Sequence, residues 1–253
     1  MVEASFLASF DNITLALIMA IFLFSGVVKG FLGIGLPAAA MAFLTLVMAP
    51  TEAIALLIMP IIFTNFFQFT RAQDRAGIAN RYKYFGAAII VSIFVTSLFI
   101  ADYPTALLTV AIGFAMVVFA VNLLFGLAIP MGPGVGWQVG IGLVSGVLGG
   151  LSSIWSPPVA MYLIVRKVSK EEFIGATGFL FLCGCFPLAL GLFFSGVVTG
   201  ATIIQSLIAL VFALIGFRIG EALRHRISQD LFRRVVLVAF LVMGLRLMAV
   251  GLL

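Results

Sequence analysis

Residues 25–41 read SGVVKGFLGIGLPAAAM, and residues 145–161 read SGVLGGLSSIWSPPVAM. The two stretches align without a gap at an offset of 120 residues. Eight of the 17 positions are identical: Ser25/Ser145, Gly26/Gly146, Val27/Val147, Gly30/Gly150, Ile34/Ile154, Pro37/Pro157, Ala40/Ala160 and Met41/Met161. Apolar bias explains coincidences of Val, Ile or Ala. It does not put two glycines and a proline in register. The same offset pairs Glu52 with Glu172, each opening the next apolar run. The chain therefore reads as an internal duplication, residues 1–130 forming the first repeat and 131–253 the second.

Composition says what surrounds these stretches. Of 253 residues, 64% are hydrophobic and 9% charged, where a soluble domain carries about 25% charged. The mean hydropathy is +1.31. A soluble globule, a disordered chain, a coiled coil and a disulfide scaffold are excluded on these grounds. Runs such as Val235 to Met243 do not alternate polar and apolar residues, as barrel strands would. What remains is an all-α polytopic membrane protein. Its single histidine, His225, lies in a charged loop, and Cys183 and Cys185 point to different faces of one helix. Metal centres and Ser-His catalysis therefore lack their residues. No cofactor is expected, and the protein is not read as an enzyme.

Long apolar runs of spanning length fall at 12–31, 52–69, 84–101, 104–126, 136–153, 173–195, 200–217 and 231–252, with two short ones at 36–49 and 157–165. Twelve of the 14 Lys and Arg residues lie in three loops, 70–83, 166–170 and 218–234. An even number of crossings separates each loop from the next, so all three share one side. The positive-inside rule makes that side cytoplasmic and sends both termini outside. Basic residues confined to short loops also speak against nucleic acid as a partner. Each half then holds about five membrane segments, the first half beginning outside and the second inside, which is inverted topology. The segments 12–49 and 136–165 are expected to form hairpins of one long and one short helix.

The breaks Gly30–Pro37 and Gly149–Pro157 carry the chemistry. Backbone broken at membrane depth survives only inside protein or beside a watery cavity. Half-helices starting near Pro37 and Pro157 would aim N–H groups and positive dipole ends at such a cavity, which favours an anion. Ser152, Ser153 and Ser156 add hydroxyl donors, Lys29 a charge, and Trp155 a wall. Gly33 and Gly35 shape the first turn. Asn65 and Gln68 share a helical face, and Arg246 is a charge deep in the last segment. These twelve residues (Lys29, Gly33, Gly35, Pro37, Asn65, Gln68, Ser152, Ser153, Trp155, Ser156, Pro157 and Arg246) form the candidate substrate site. Glu52 and Glu172 read as helix-capping residues, the latter in Ser169-Lys170-Glu171-Glu172 with capping-box spacing. Gly216 and Gly220 read as a packing pair.

At these residues the chain resembles the TauE/SafE sulfite exporter family, also called the TSUP family. The resemblance rests on Ser25-Gly26, Gly30-Phe31-Leu32-Gly33-Ile34-Gly35 and Pro37. It rests equally on the echo Ser145-Gly146, Gly149-Gly150, Ser153 and Pro157, and on Ile215-Gly216, Gly220 and Leu223 before the last helix. The second break departs from the glycine-rich pattern, with Ser-Ser-Ile-Trp-Ser in place of several glycines. The resemblance implies a bacterial inner-membrane transporter, an exporter in many cases, of sulfite, sulfonates or related organosulfur anions. Together these readings lead us to expect a secondary transporter that alternately exposes a small-anion site. The alternatives are a passive anion channel and a carrier of another small organic anion. The expected partners are the anionic substrate and the lipid bilayer, with a homodimer as the open question of assembly.

Overall fold

The computed structural model describes residues 12–126, 131–223, 226 and 229–253. The boundary expected at 130/131 and the single histidine, His225, lie outside them. The described residues form eleven helices and no strand: α1 Asn12–Leu32, α2 Leu36–Leu44, α3 Pro50–Leu56, α4 Ile58–Thr70, α5 Arg75–Leu98, α6 Thr105–Phe125, α7 Val135–Ser152, α8 Ser156–Val165, α9 Lys170–Phe194, α10 Gly200–Leu223 and α11 Gln229–Leu252. Seven are long and apolar enough to cross a membrane. The chain is an all-helical, multi-pass membrane protein.

One expected segment is corrected, and one expected as short is shorter than its apolar run. The run 36–49 is helical only over nine residues, Leu36–Leu44, too short to span 30 Å at 1.5 Å per residue. The run 52–69 is two helices, α3 and α4, bent by 41°. Pro60 is the reason: it has no N–H to give the carbonyl of Leu56. Ser206 of α10 fills the gap. Its hydroxyl donates to Leu56 O at 2.8 Å and accepts from the Met59 N–H at 2.9 Å. A side chain from a distant helix thus takes the place of the missing backbone bond.

Apolar side chains cover the outside. Val91, Phe193, Phe194, Val211 and Val242 are all exposed, as lipid-facing positions must be apolar. Polar side chains turn inward: Ser25, Lys29, Asn65, Gln68, Ser145, Ser152 and Ser153 are buried.

The helices are held by close backbone approach. On α1, a Cβ added at Gly26 or Gly30 would overlap the carbonyl oxygens of Ala213 or Phe217 on α10. Added at Gly216 or Gly220, it would overlap those of Leu23 or Val27 on α1. This is reciprocal small-xxx-small packing. On α7, Gly142 and Gly150 would put a Cβ 2.7 Å from Ala88 Cβ and 2.6 Å from Thr96 Cβ of α5, and Gly146 faces Ser92 between them. Thus α1 rests on α10, and α7 on α5. Gly113 of α6 meets Gly244 of α11 in the same way.

Candidate functional site

The chain turns back on itself between α1 and α2 and again between α7 and α8. In the first turn Gly33 and Gly35 take φ of +81° and +97°, values that only glycine adopts without strain. In the second, Ser153 takes +60°. Gly33 and Ser153 stand 120 residues apart and close the same bond: Gly33 N–H to Lys29 O and Ser153 N–H to Gly149 O, each 2.7 Å. Ser145 braces the second turn by donating to the carbonyl of Trp155 at 2.5 Å. Its counterpart Ser25 bonds back to Ile21 O at 2.7 Å.

Beyond each turn a half-helix begins, capped by Gly35 and by Trp155. The two helix starts converge on one cavity of about 10 Å³, lined by Lys29, Gly35, Pro37, Asn65, Ser153, Trp155, Ser156 and Phe181. That is room for about one water, so the site is too small for a larger ligand as it stands. Helix geometry leaves the first N–H groups of each half-helix without intrahelical acceptors. Pro37, Pro157 and Pro158 have none to offer, which leaves those of Leu36, Ala38 and Ser156. Both positive dipole ends, worth about half a charge each, face the same small space.

Lys29 is buried, 2% exposed. It does not reach for the membrane surface. Its ammonium donates to Asn65 Oδ1 and lies 5.8 Å from the centre of the Phe181 ring. Asn65 in turn donates to Cys185 Sγ at 3.5 Å. Asn65 and Cys185 are again 120 residues apart in the sequence and meet at the site. No carboxylate is among the lining residues. The hydroxyl of Ser153 and the indole N–H of Trp155 are buried without any hydrogen-bond partner among the described residues. A buried donor left unpaired costs about 1–3 kcal/mol. Two of them beside an ammonium and two helix N-termini make a space that lacks only an acceptor.

Seven of the twelve candidate residues come together here. The other five do not line the cavity. Gly33 shapes the turn, with nothing within 4 Å of an added Cβ. Ser152 ends α7 and braces the turn: its hydroxyl donates to Leu148 O at 2.6 Å and accepts from Ile154 N–H at 3.1 Å. Pro157 is buried in the first turn of α8. Gln68 lies one turn along α4 from Asn65 and binds α9. Arg246 is exposed on α11. Two neighbours of Lys29 escaped the sequence reading. Cys185 could have been found by carrying Asn65 forward by 120 residues. Phe181 is one of 26 phenylalanines and carried no signal. Glu52 caps as expected, accepting from Ala49 N–H at 3.2 Å. Glu172 departs from the expected box: Ser169 accepts its N–H at 3.1 Å, but its carboxylate is taken by Arg81 and by Tyr82 OH.

The long apolar helices of a multi-pass membrane protein thus surround a small, donor-lined centre. The chain matches the family model described as Sulfite exporter TauE/SafE over residues 18–247 and belongs to that family. Its class is thus membrane transport of sulfur-containing anions. No curated protein and no solved structure matches the chain.

Proposed function

We propose that this protein moves sulfite, or a closely related small sulfonate, across a bacterial inner membrane by alternating access to the cavity at the two turns, and that the net direction is export. The observation that carries this reading is the pair of partnerless buried donors, Ser153 and Trp155, beside Lys29 in the same cavity. A pyramidal oxyanion offers three acceptor oxygens to that set, and its charge offsets the ammonium. Ten cubic ångströms will not hold sulfite, so loading requires the half-helices to part. A centre too small for the anion at rest favours alternation over a permanently open pore.

The proposal includes inverted repeats, 1–130 and 131–253. The matching turn bonds, the meeting of Asn65 with Cys185, and the exchange of α1 onto α10 and α7 onto α5 support it. In this reading the basic loops face the cytoplasm and both termini face out.

The test is ligand protection of the purified protein. Sulfite and sulfoacetate raise the unfolding temperature, and acetate does not. Lys29→Met removes a buried charge with no carboxylate partner at the cavity but leaves Asn65 Oδ1 without its donor, a cost of about 1–3 kcal/mol, and abolishes the shift. The double variant Lys29→Met/Asn65→Leu, which removes both partners, abolishes it as well. Failure of every sulfur anion to stabilise the wild-type protein overturns the reading.

A further inference from the structure

The ends of α1, α9 and α11 leave a second, polar cleft of about 200 Å³. Lys170, Asp230 and Arg233 line it together with Leu32, Phe173 and Ile174. On the same measure a water needs about 10–15 Å³, so the cleft has room for a hydrated small anion. Leu32 is the last residue of α1, immediately before the turn that shapes the central cavity.

The charges of this cleft are poorly explained by folding. Lys170 is the first residue of α9, a cation at the positive end of a helix dipole, which is the wrong sign for stability. Among the described residues no carboxylate lies within 4 Å of its ammonium. Arg233 is anchored through one guanidinium nitrogen to the carbonyl of Leu123. Asp230 is the one carboxylate against these two cations, leaving the cleft net positive.

A single face of α9 connects the cleft to the cavity. Lys170, Ile174, Thr177, Phe181 and Cys185 follow at steps of three and four, so they stack on one side of the helix. Lys170 and Ile174 line the cleft, Phe181 lines the cavity, and Thr177 stands between them. Gln68 of α4 lies across this line. Its amide donates to Ile174 O and to Thr177 Oγ1, both at 2.9 Å. Its Oε1 is buried with no partner among the described residues. Gln68 is therefore fastened on one side of its amide only, which lowers the cost of releasing it.

We propose that the cleft at Lys170 and Arg233 is a second anion site, where the sulfur anion loads from the basic face, and that Gln68 is the gate residue between it and the central cavity. The proposal rests on the reading of that cavity as the substrate site. The anion is first held at the net-positive cleft. The Gln68 amide then leaves Ile174 and Thr177, and its NH₂ group becomes free to follow an anion oxygen towards Lys29.

The experiment is sulfite flux in proteoliposomes, with the sulfite concentration varied separately on each face and protein-free vesicles as the blank. In Lys170→Gln the half-saturating sulfite concentration on the basic face rises about fivefold, and the difference from wild type shrinks at high salt. Half-saturation from the opposite face is unchanged. In Gln68→Leu turnover falls about tenfold, equivalent to about 1.4 kcal/mol on the barrier, while the unfolding-temperature shift given by sulfite stays that of the wild type. Equal changes on both faces, or none, in Lys170→Gln overturn the loading site. Loss of sulfite binding in step with turnover in Gln68→Leu makes Gln68 part of the cavity and overturns the gate. Wild-type protein without saturable sulfite flux overturns the cavity reading itself, and the loading site with it.

Discussion

Ser153 holds φ at +60° at the position where Gly33 stands in the other half. A left-handed backbone costs a residue with a side chain about 1–2 kcal/mol, and its buried hydroxyl has no partner to compensate. Both costs disappear in Ser153→Gly. We therefore expect this variant to unfold at a temperature at least equal to that of the wild type and to bind sulfite at least about tenfold more weakly, the loss of a hydrogen bond to a charged group. Thermal unfolding with and without sulfite measures both. A stabilised variant with normal affinity removes Ser153 from the site. Ser153 stands out in the sequence as one of three hydroxyl donors at the second break, beside Ser152 and Ser156. The sequence reading could not tell Ser153 from Ser152. The two are adjacent and chemically identical, and only the turn geometry ties the Ser152 hydroxyl to backbone and leaves that of Ser153 at the cavity without a partner among the described residues.

At the scale of elements, the same residue type does two different jobs within one motif. Gly26 and Gly30 let α1 touch α10, whereas Gly33 and Gly35 let the chain turn. The spacing of the four glycines did not separate these roles, because neither the partner helix nor the sign of φ is written in local sequence. The partner does predict the cost. Gly220→Val drives a side chain into the backbone of α1 and destabilises by about 1–3 kcal/mol or more. Gly140→Ala on α7 meets nothing within 4 Å and stabilises by about 0.5–1 kcal/mol through helix propensity. Chemical unfolding in detergent compares the pair, and equal effects would refute the contact argument. Segment existence was legible from hydropathy, and the half-helix starts from Pro37 and Pro157. The bend between α3 and α4 was not, although Pro60 was visible. A proline alone does not say that Ser206, nearly 150 residues away, will satisfy the carbonyl it orphans.

At the scale of the molecule, α1 rests on α10 and α7 on α5, so neither half contains its own packing partners. Residues 1–130 expressed alone leave the glycine face of α1 uncovered, and residues 131–253 alone leave that of α7 uncovered. Each fragment is expected to be unstable after extraction, and the two expressed together to assemble into a species of full-length size. Size-exclusion chromatography checks this, and a first half that is folded and monodisperse on its own would contradict the interlock. The interlock also sets a schedule for synthesis. About 170 residues separate the end of α1 from the start of α10. At roughly 5–20 residues per second, the ribosome takes on the order of ten seconds to bridge them. For that interval Lys29 sits in the bilayer with Gly26 and Gly30 bare beside it, and the nascent chain depends on whatever the insertion machinery holds against them.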